Sequence, residues 1–119
     1  MMLSNQQYLL NQEDKTASIL LKELFEGFSY KIVMSTIEES KTVFEICKEN
    51  DLPVSSTYKK IKKLKELGLL FTDRVVINEK GKKVVFYKSK IQSVELILNK
   101  KQVLLQFKIN ERNLHCSIS

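Results

Sequence analysis

The chain has 119 residues, of which 43% are hydrophobic, with only three glycines and one proline. This predicts one small globular domain with short extensions and excludes a disordered or linker-rich chain. The two cysteines, Cys47 and Cys116, are too few and too far apart in the sequence to form a disulfide framework. Residues 1–11 lack the apolar core of a signal peptide. No apolar run reaches the ~18–20 residues of a membrane span. We therefore expect a cytoplasmic protein without a membrane segment.

The positive charge is concentrated in one third of the chain. The formal net charge is +6. Residues 59–90 contain eleven lysines or arginines and three acidic residues, a net of +8, while the remainder has nine basic and eleven acidic residues, a net of −2. Such a local excess is typical of a nucleic-acid-binding face. Charge alone leaves a solvated lysine surface open as the alternative.

The first half of the chain has the apolar periodicity of helices. Residues 1–11 are polar and are predicted to be a flexible N-terminus. Helices are predicted over residues 12–26 and 29–39, where apolar side chains recur at helical spacing. The sequence Thr42-Val43-Phe44-Glu45 matches a capping box and opens a third helix that ends near Asn50. The side chains expected to face the core from these helices are Ala17, Leu20, Leu21, Leu24, Phe25, Ile32, Val33, Met34, Ile37, Val43, Phe44, Ile46 and Cys47.

A tight connection leads from the third helix into a basic fourth helix, predicted over residues 53–67. Pro53 suits the first turn of a helix, because the N–H that it lacks has no partner there. One face of this helix is apolar and is expected to pack against the core, while the opposite face is polar and basic. The core-facing positions are Thr57, Ile61, Leu64 and Leu67.

From Leu69 onward the period changes to that of β-strands. Residues 71–88 contain two runs of β-branched and aromatic side chains around the turn Asn78-Glu79-Lys80-Gly81, which predicts a hairpin. The alternation over residues 92–110 favours a second hairpin with a turn at 99–102, although a helix fits some of the same apolar positions. Residues 111–119 are predicted to be a flexible tail.

The order of a short helix, a tight turn, a basic helix and a hairpin predicts an α+β fold. We expect a winged helix-turn-helix over residues 12–91 and a C-terminal extension over 92–110. In such a fold the helix over 53–67 enters the major groove of double-stranded DNA, and the hairpin over 71–88 lies on the backbone or minor groove. The predicted base contacts are Val54, Ser55, Ser56 and Lys59. The predicted phosphate contacts are Tyr58, Lys60, Lys62, Lys63, Lys80, Lys82 and Lys83.

Residues 19–90 resemble archaeal winged-helix transcription regulators of the broad ArsR-like and sugar-sensing type. The resemblance rests on Leu20-Leu21-Lys22-Glu23-Leu24, Phe44-Glu45-Ile46-Cys47, residues 52–61 and Leu64-Lys65-Glu66-Leu67-Gly68-Leu69. The last segment has the leucine-x-x-leucine-glycine-leucine pattern with which the recognition helix of this family ends. The resemblance implies a dimer that binds palindromic operators. The helix before the turn has only Cys47 where metal-sensing members carry paired cysteines, and Tyr58 stands where the family often has valine.

No combination of residues predicts an active site, a metal site or a cofactor. Cys47 lies on the apolar side of its helix, as a small buried hydrophobe does. The pair His115-Cys116 cannot complete a four-ligand zinc site alone. We therefore expect a regulator without enzymatic activity, and the sequence identifies no small-molecule effector.

Two further expectations concern partners. A homodimer is expected, because residues 12–26 and 93–110 add apolar surface that a three-helix core does not need. A winged-helix module for protein–protein contacts in a transcription or replication assembly stays open as an alternative, because a fold does not fix a function. RNA binding ranks lower, since no aromatic stripe suited to base stacking is present.

Overall fold

In the described part of the chain a short strand, four helices and two antiparallel hairpins follow one another and form an α+β fold. The computed structural model describes residues 6–9, 16–101 and 103–110. The helices are α1 (Thr16–Phe25), α2 (Ser29–Ser35), α3 (Val43–Asn50) and α4 (Val54–Glu66). The strands are β1 (Gln6–Leu9), β2 (Leu70–Ile77), β3 (Lys83–Ser89), β4 (Ile91–Leu98) and β5 (Val103–Ile109). Within these ranges no helix has the length and apolar character needed to cross a membrane.

The start of α3 is fixed by the predicted capping box. The backbone N–H of Glu45 donates to the Thr42 hydroxyl (3.2 Å), and the N–H of Thr42 donates to the Glu45 carboxylate (2.9 Å). Two donors that the helix cannot satisfy by itself are thereby bonded reciprocally. At the other end Asp51 adopts a left-handed conformation (φ 55°, ψ 55°), which turns the chain sharply towards α4. The capping-box prediction is confirmed.

A single hydrophobic core joins the helices to both hairpins. The predicted core face of α4 is confirmed, because Thr57, Ile61 and Leu64 are buried. The prediction that Cys47 is a buried small side chain is also confirmed. The second hairpin contributes Ile91, Leu105 and Phe107 to this same core, so residues 92–110 pack as part of the domain. The other buried hydrophobic residues of the core are Leu20, Leu24, Ile32, Val33, Val43, Ile46, Leu69 and Leu70.

Three apolar side chains that were expected in the core lie on the surface. Phe44 is 68% exposed, Met34 64% and Phe25 62%. Each follows a residue at the buried face of its helix, and the rotation of about 100° per residue carries it past the edge of that face. The side chains of Val43, Ile46 and Cys47 already fill the inward face of α3. The predictions for Phe25, Met34 and Phe44 are therefore wrong.

The helix predicted over residues 29–39 is shorter than expected. It ends at Ser35, because the buried hydroxyl of Thr36 bonds back to the carbonyls of Ile32 (2.9 Å) and Val33 (3.1 Å). Side chains of this kind offer the backbone an alternative to continued helix. The helix predicted over residues 12–26 is described from Thr16 to Phe25.

The strands form two separate antiparallel sheets. In the first, β2 pairs with β3, and Lys41 adds a short bridge to Tyr87 through N–H···O bonds of 2.9 and 2.8 Å. The second sheet has the order β1-β5-β4. Both predicted hairpins are confirmed, and the alternative of a helix over residues 92–110 is excluded. The tail over 111–119, with His115 and Cys116, lies outside the described residues.

Strand β1 corrects the prediction that all of residues 1–11 are flexible. Residues 6–9 pair with β5 in antiparallel register, from Gln6 opposite Phe107 to Leu9 opposite Leu104. The partner strand is about one hundred residues away in the sequence, and the polarity of the N-terminal segment gives no indication of it. An available sheet edge can order a segment that has little preference of its own.

A cluster of buried polar groups, here called the Ser89 junction, connects the helices to the two hairpins. It comprises Thr36, Ser89, Ile91 and Asn110. The N–H of Ser89 donates to the carbonyl of Thr36 (3.0 Å), and its hydroxyl donates to the carbonyl of Ile91 (2.7 Å). The Asn110 side chain donates to the carbonyls of Ile37 (2.8 Å) and Ser89 (3.3 Å). The end of β3 is thus fixed to the end of α2 and to both ends of the second hairpin.

Removing the helix cap should measurably destabilise the fold. We expect Thr42→Ala to lower the free energy of unfolding by about 1 kcal/mol, because the N–H of Glu45 loses its acceptor. Thr42→Ser retains the hydroxyl and should stay close to the wild type. Urea denaturation followed by circular dichroism measures both. Equal stability of the alanine and serine variants would contradict the assignment.

Candidate nucleic-acid interface

Helix α4 is anchored on one face and open on the other. Its Thr57 hydroxyl donates to the carbonyl of Pro53 (2.7 Å), and the adjoining apolar side chains lie in the core. Pro53 and Leu67 are the cap residues, so the predicted helix over 53–67 is confirmed to within one residue at each end. The face opposite the core is rich in lysine. This arrangement holds the helix in place while leaving its polar side accessible to a large ligand.

The four predicted base-contacting residues lie in the first two turns of α4. Val54, Ser55 and Lys59 are exposed, and Ser56 is half-buried. No side chain caps the N-terminus of this helix. Small hydroxyl groups and one lysine are thus presented at the end of the helix that carries the positive pole of its dipole.

Most of the predicted phosphate-contacting lysines are exposed, but Lys60 is placed differently. Lys62 and Lys63 are open to solvent on α4. The Lys60 ammonium lies 3.9 Å from the carboxylate of Glu23 on α1, and both side chains are largely covered. Position 60 faces α1 because it lies beside the core-facing positions of the helix. The structure therefore separates Lys60 from the other predicted phosphate contacts.

The tip of the β2–β3 hairpin holds three lysines on a well-defined turn. The carbonyl oxygen of the Asn78 side chain accepts the N–H groups of Lys80 and Lys82, both at 2.9 Å. Gly81 has φ +77°, a conformation that few other residues adopt without strain. Lys80, Lys82 and Lys83 are exposed. The turn predicted at residues 78–81 is confirmed, and its lysines project from a closed loop.

A groove of about 570 Å³ separates α4 from the β2–β3 hairpin. Its lining residues are Tyr58, Lys59, Ile61, Lys62, Lys65, Glu66 and Tyr87. Lys65 spans the base of this groove: its ammonium donates to the Thr72 hydroxyl (3.0 Å) and lies 5.7 Å from the centre of the Tyr87 ring. Lys65 and Tyr87 were not among the predicted site residues. The position of Lys65, one turn after Lys62, is the only signal in the sequence that indicates its place beside the groove.

The surface of the hairpin is not uniformly basic. Val75, Val76 and Ile77 are exposed along β2. The guanidinium of Arg74 lies 4.1 Å from the centre of the Phe86 ring, which covers that aromatic side chain with a charged group. The hairpin therefore combines a basic tip with an apolar strand surface, which the count of charges does not reveal.

No protein-family model matches this chain, and no curated protein matches it significantly. The resemblance of residues 19–90 to winged-helix regulators stays a prediction. The described residues contain no group of three or more histidine, cysteine, aspartate or glutamate side chains placed to hold a metal ion. The case for a function consequently depends on the surface formed by α4 and the β2–β3 hairpin.

The Tyr87 hydroxyl provides a test of the groove geometry. Burial, with a further contribution from nearby Tyr58, raises the pKa of Tyr87 above its ordinary value of 10.0. In the unfolded chain this hydroxyl ionises at the ordinary pKa. The contribution of Tyr87 to stability is therefore constant below about pH 10 and is lost as pH rises towards the folded-state pKa.

The pKa of Tyr87 can be obtained from the difference between the pH titrations of the wild type and of a variant without this hydroxyl. We expect the phenolate absorbance of the wild type minus that of Tyr87→Phe to have its midpoint above pH 10, and the variant to lack the corresponding alkaline loss of stability. A midpoint at or below pH 10 would contradict the placement of Tyr87 against α4.

Proposed function

We propose that this chain is a winged helix-turn-helix transcription regulator that binds double-stranded DNA in the cytoplasm and has no enzymatic activity. Helix α4 acts as the recognition helix in the major groove, and the β2–β3 hairpin acts as the wing. The observation that carries the proposal is the exposure of six lysines on these two elements, which are Lys59, Lys62, Lys63, Lys80, Lys82 and Lys83.

The recognition helix supports this proposal because one of its faces packs in the core and the opposite face is exposed. The buried face fixes its orientation, and a major groove about 12 Å wide admits the exposed face. Val54, Ser55, Ser56 and Lys59 are the candidates for base contacts, since residues near the N-terminus of such a helix reach deepest. Lysine can bond the O6 and N7 atoms of guanine, and serine can bond several base edges.

The remaining exposed lysines are suited to phosphates. Lys62 and Lys63 on α4 and the three lysines at the hairpin tip carry charge without the fixed geometry of base readout. Tyr58 borders the groove between the two elements and adds a hydroxyl donor. We do not place Lys60 in this set, because its side chain is largely covered and its ammonium lies 3.9 Å from the Glu23 carboxylate.

Duplex DNA titrations at several salt concentrations test the proposal. We expect the logarithm of the binding constant to fall linearly with the logarithm of the salt concentration, by about 0.9 for each phosphate contact. Lys82→Ala with Lys83→Ala should weaken binding to every duplex and reduce this slope. Lys100→Ala with Lys101→Ala is the matched control, because it removes an exposed lysine pair from the turn of the other hairpin.

Sequence preference is tested separately with Ser55→Ala and Lys59→Ala. This double variant should lose discrimination between duplexes while retaining most of its non-specific affinity. Saturation only near millimolar DNA at moderate salt, without sequence preference, would refute the proposed function.

A protein-binding role is favoured by one specific observation. Val75 and Ile77 are exposed apolar side chains on one face of β2, and Val76 is exposed on the other face. Apolar side chains contribute little to contacts with a phosphate backbone. A partner could cover this surface in a transcription or replication assembly. A stoichiometric partner that co-purifies with a chain unable to bind DNA would establish this second function.

We further propose that the chain forms a homodimer through the outer edge of β4. Among the described strands β4 pairs with β5 alone, and its Leu96 and Leu98 are 52% and 70% exposed. Antiparallel pairing of β4 with its own copy is self-complementary, as two-fold symmetry requires. If the pairing is centred on Leu96, Val94 of one strand lies opposite Leu98 of the other. Glu95, the only charged residue of β4, then lies opposite Ile97 of the other strand, and the two Glu95 carboxylates do not face each other.

Sedimentation measurements at tens of micromolar test the dimer. Leu96→Lys with Leu98→Lys should give a monomer, because lysine on an edge strand opposes further strand pairing. The matched control is Val75→Lys with Ile77→Lys, which makes two similar changes at the same spacing on β2 and should leave the dimer intact. A monomeric wild type, or a dimer that persists with lysines at 96 and 98, would refute this arrangement.

A further inference from the structure

Lys65 connects the last turn of the recognition helix to the base of the wing. Its ammonium donates to the Thr72 hydroxyl at 3.0 Å and lies 5.7 Å from the Tyr87 ring centre. Thr72 and Tyr87 are directly opposite each other on β2 and β3. One lysine thus contacts both members of a single cross-strand pair.

This pair marks the boundary between the anchored and the open parts of the wing. The backbone of Tyr87 is bonded in both directions to Lys41, which ties it to the segment before α3. Immediately beyond the pair the register of the two strands shifts between Thr72 and Arg74. Such irregularities bend a hairpin locally. From Arg74 to Ile77 every residue of β2 is exposed, whereas Val84 and Val85 on β3 are half-buried beside the start of α3. The β2 side of the wing therefore has its described contacts to α4 at its base, through Lys65.

We propose that Lys65 is a positioning residue that fixes the angle between the recognition helix and the wing. The inference rests on the proposed function, because this angle decides whether both elements reach the same duplex. A hydrogen bond and a cation–π contact from one ammonium hold the base of the wing at the groove. The charge of Lys65 acts on the protein itself, in contrast to the charges of Lys62 and Lys63.

The salt dependence of duplex binding shows whether Lys65 positions the wing or binds a phosphate. We expect Lys65→Met and Thr72→Val each to weaken duplex binding by about fivefold without changing the salt slope, because the contact that they remove lies within the protein. The matched control is Lys62→Met, which removes the same charge from the same groove. Loss of that phosphate contact should lower the slope by about 0.9.

A second measurement needs no DNA. Hydrogen exchange of the backbone amides over residues 74–86 should be faster in Lys65→Met and Thr72→Val than in the wild type, while Lys62→Met should leave it unchanged. If the wild type binds no duplex, the proposed function fails, and the exchange rates still decide whether Lys65 fixes the wing. Unchanged exchange in Lys65→Met, or a salt slope reduced as much as in Lys62→Met, overturns the proposal.

Discussion

The hydrogen bonds of buried Ser89 hold three parts of the molecule together at one place. Its N–H reaches the carbonyl of Thr36 after α2, its carbonyl accepts from Asn110 after β5, and its hydroxyl bonds to Ile91 at the start of β4. Buried polar groups are costly unless they are paired, so these bonds have to form together. These bonds hold the end of β3 beside α2, while the Lys41–Tyr87 bridge and Lys65 hold the adjoining part of the β2–β3 hairpin beside α3 and α4.

The lysines of α4 differ by what lies beside each of them. Lys60 lies with its ammonium 3.9 Å from the covered carboxylate of Glu23, between α1 and α4. Lys65 is engaged with the hairpin. Lys59, Lys62 and Lys63 remain exposed to solvent. A run of like charges in the sequence therefore contains lysines that contact other side chains of the protein and lysines that face solvent, and the latter are the best placed to meet an anionic partner.

The parts of the fold that were predicted correctly from the sequence are those determined by residues close to one another in the chain. The Thr42–Glu45 cap and the core face of α4 follow from spacing within one element, and the hairpins follow from alternation around a turn. Phe44 was misplaced because a short apolar run does not show which neighbour faces inward. Strand β1 and the pairing of Lys60 depend on distant partners, which periodicity does not reveal. Of the candidate site, the exposed positions on α4 were predicted and the bracing role of Lys65 was not. DNA binding itself stays a prediction.

Only Lys90 separates β3 from β4, and both its backbone and its side chain make contacts within the domain. Its N–H donates to the carbonyl of Leu69, its carbonyl accepts from Asn110, and its ammonium lies 5.6 Å from the Phe71 ring centre. The wing and the outer edge strand are thus joined without a flexible linker. In a dimer formed through β4, the distance between the two wings would be a fixed property of the folded chain. Such a protein would measure the spacing of two DNA half-sites and reject sites separated by a few extra base pairs.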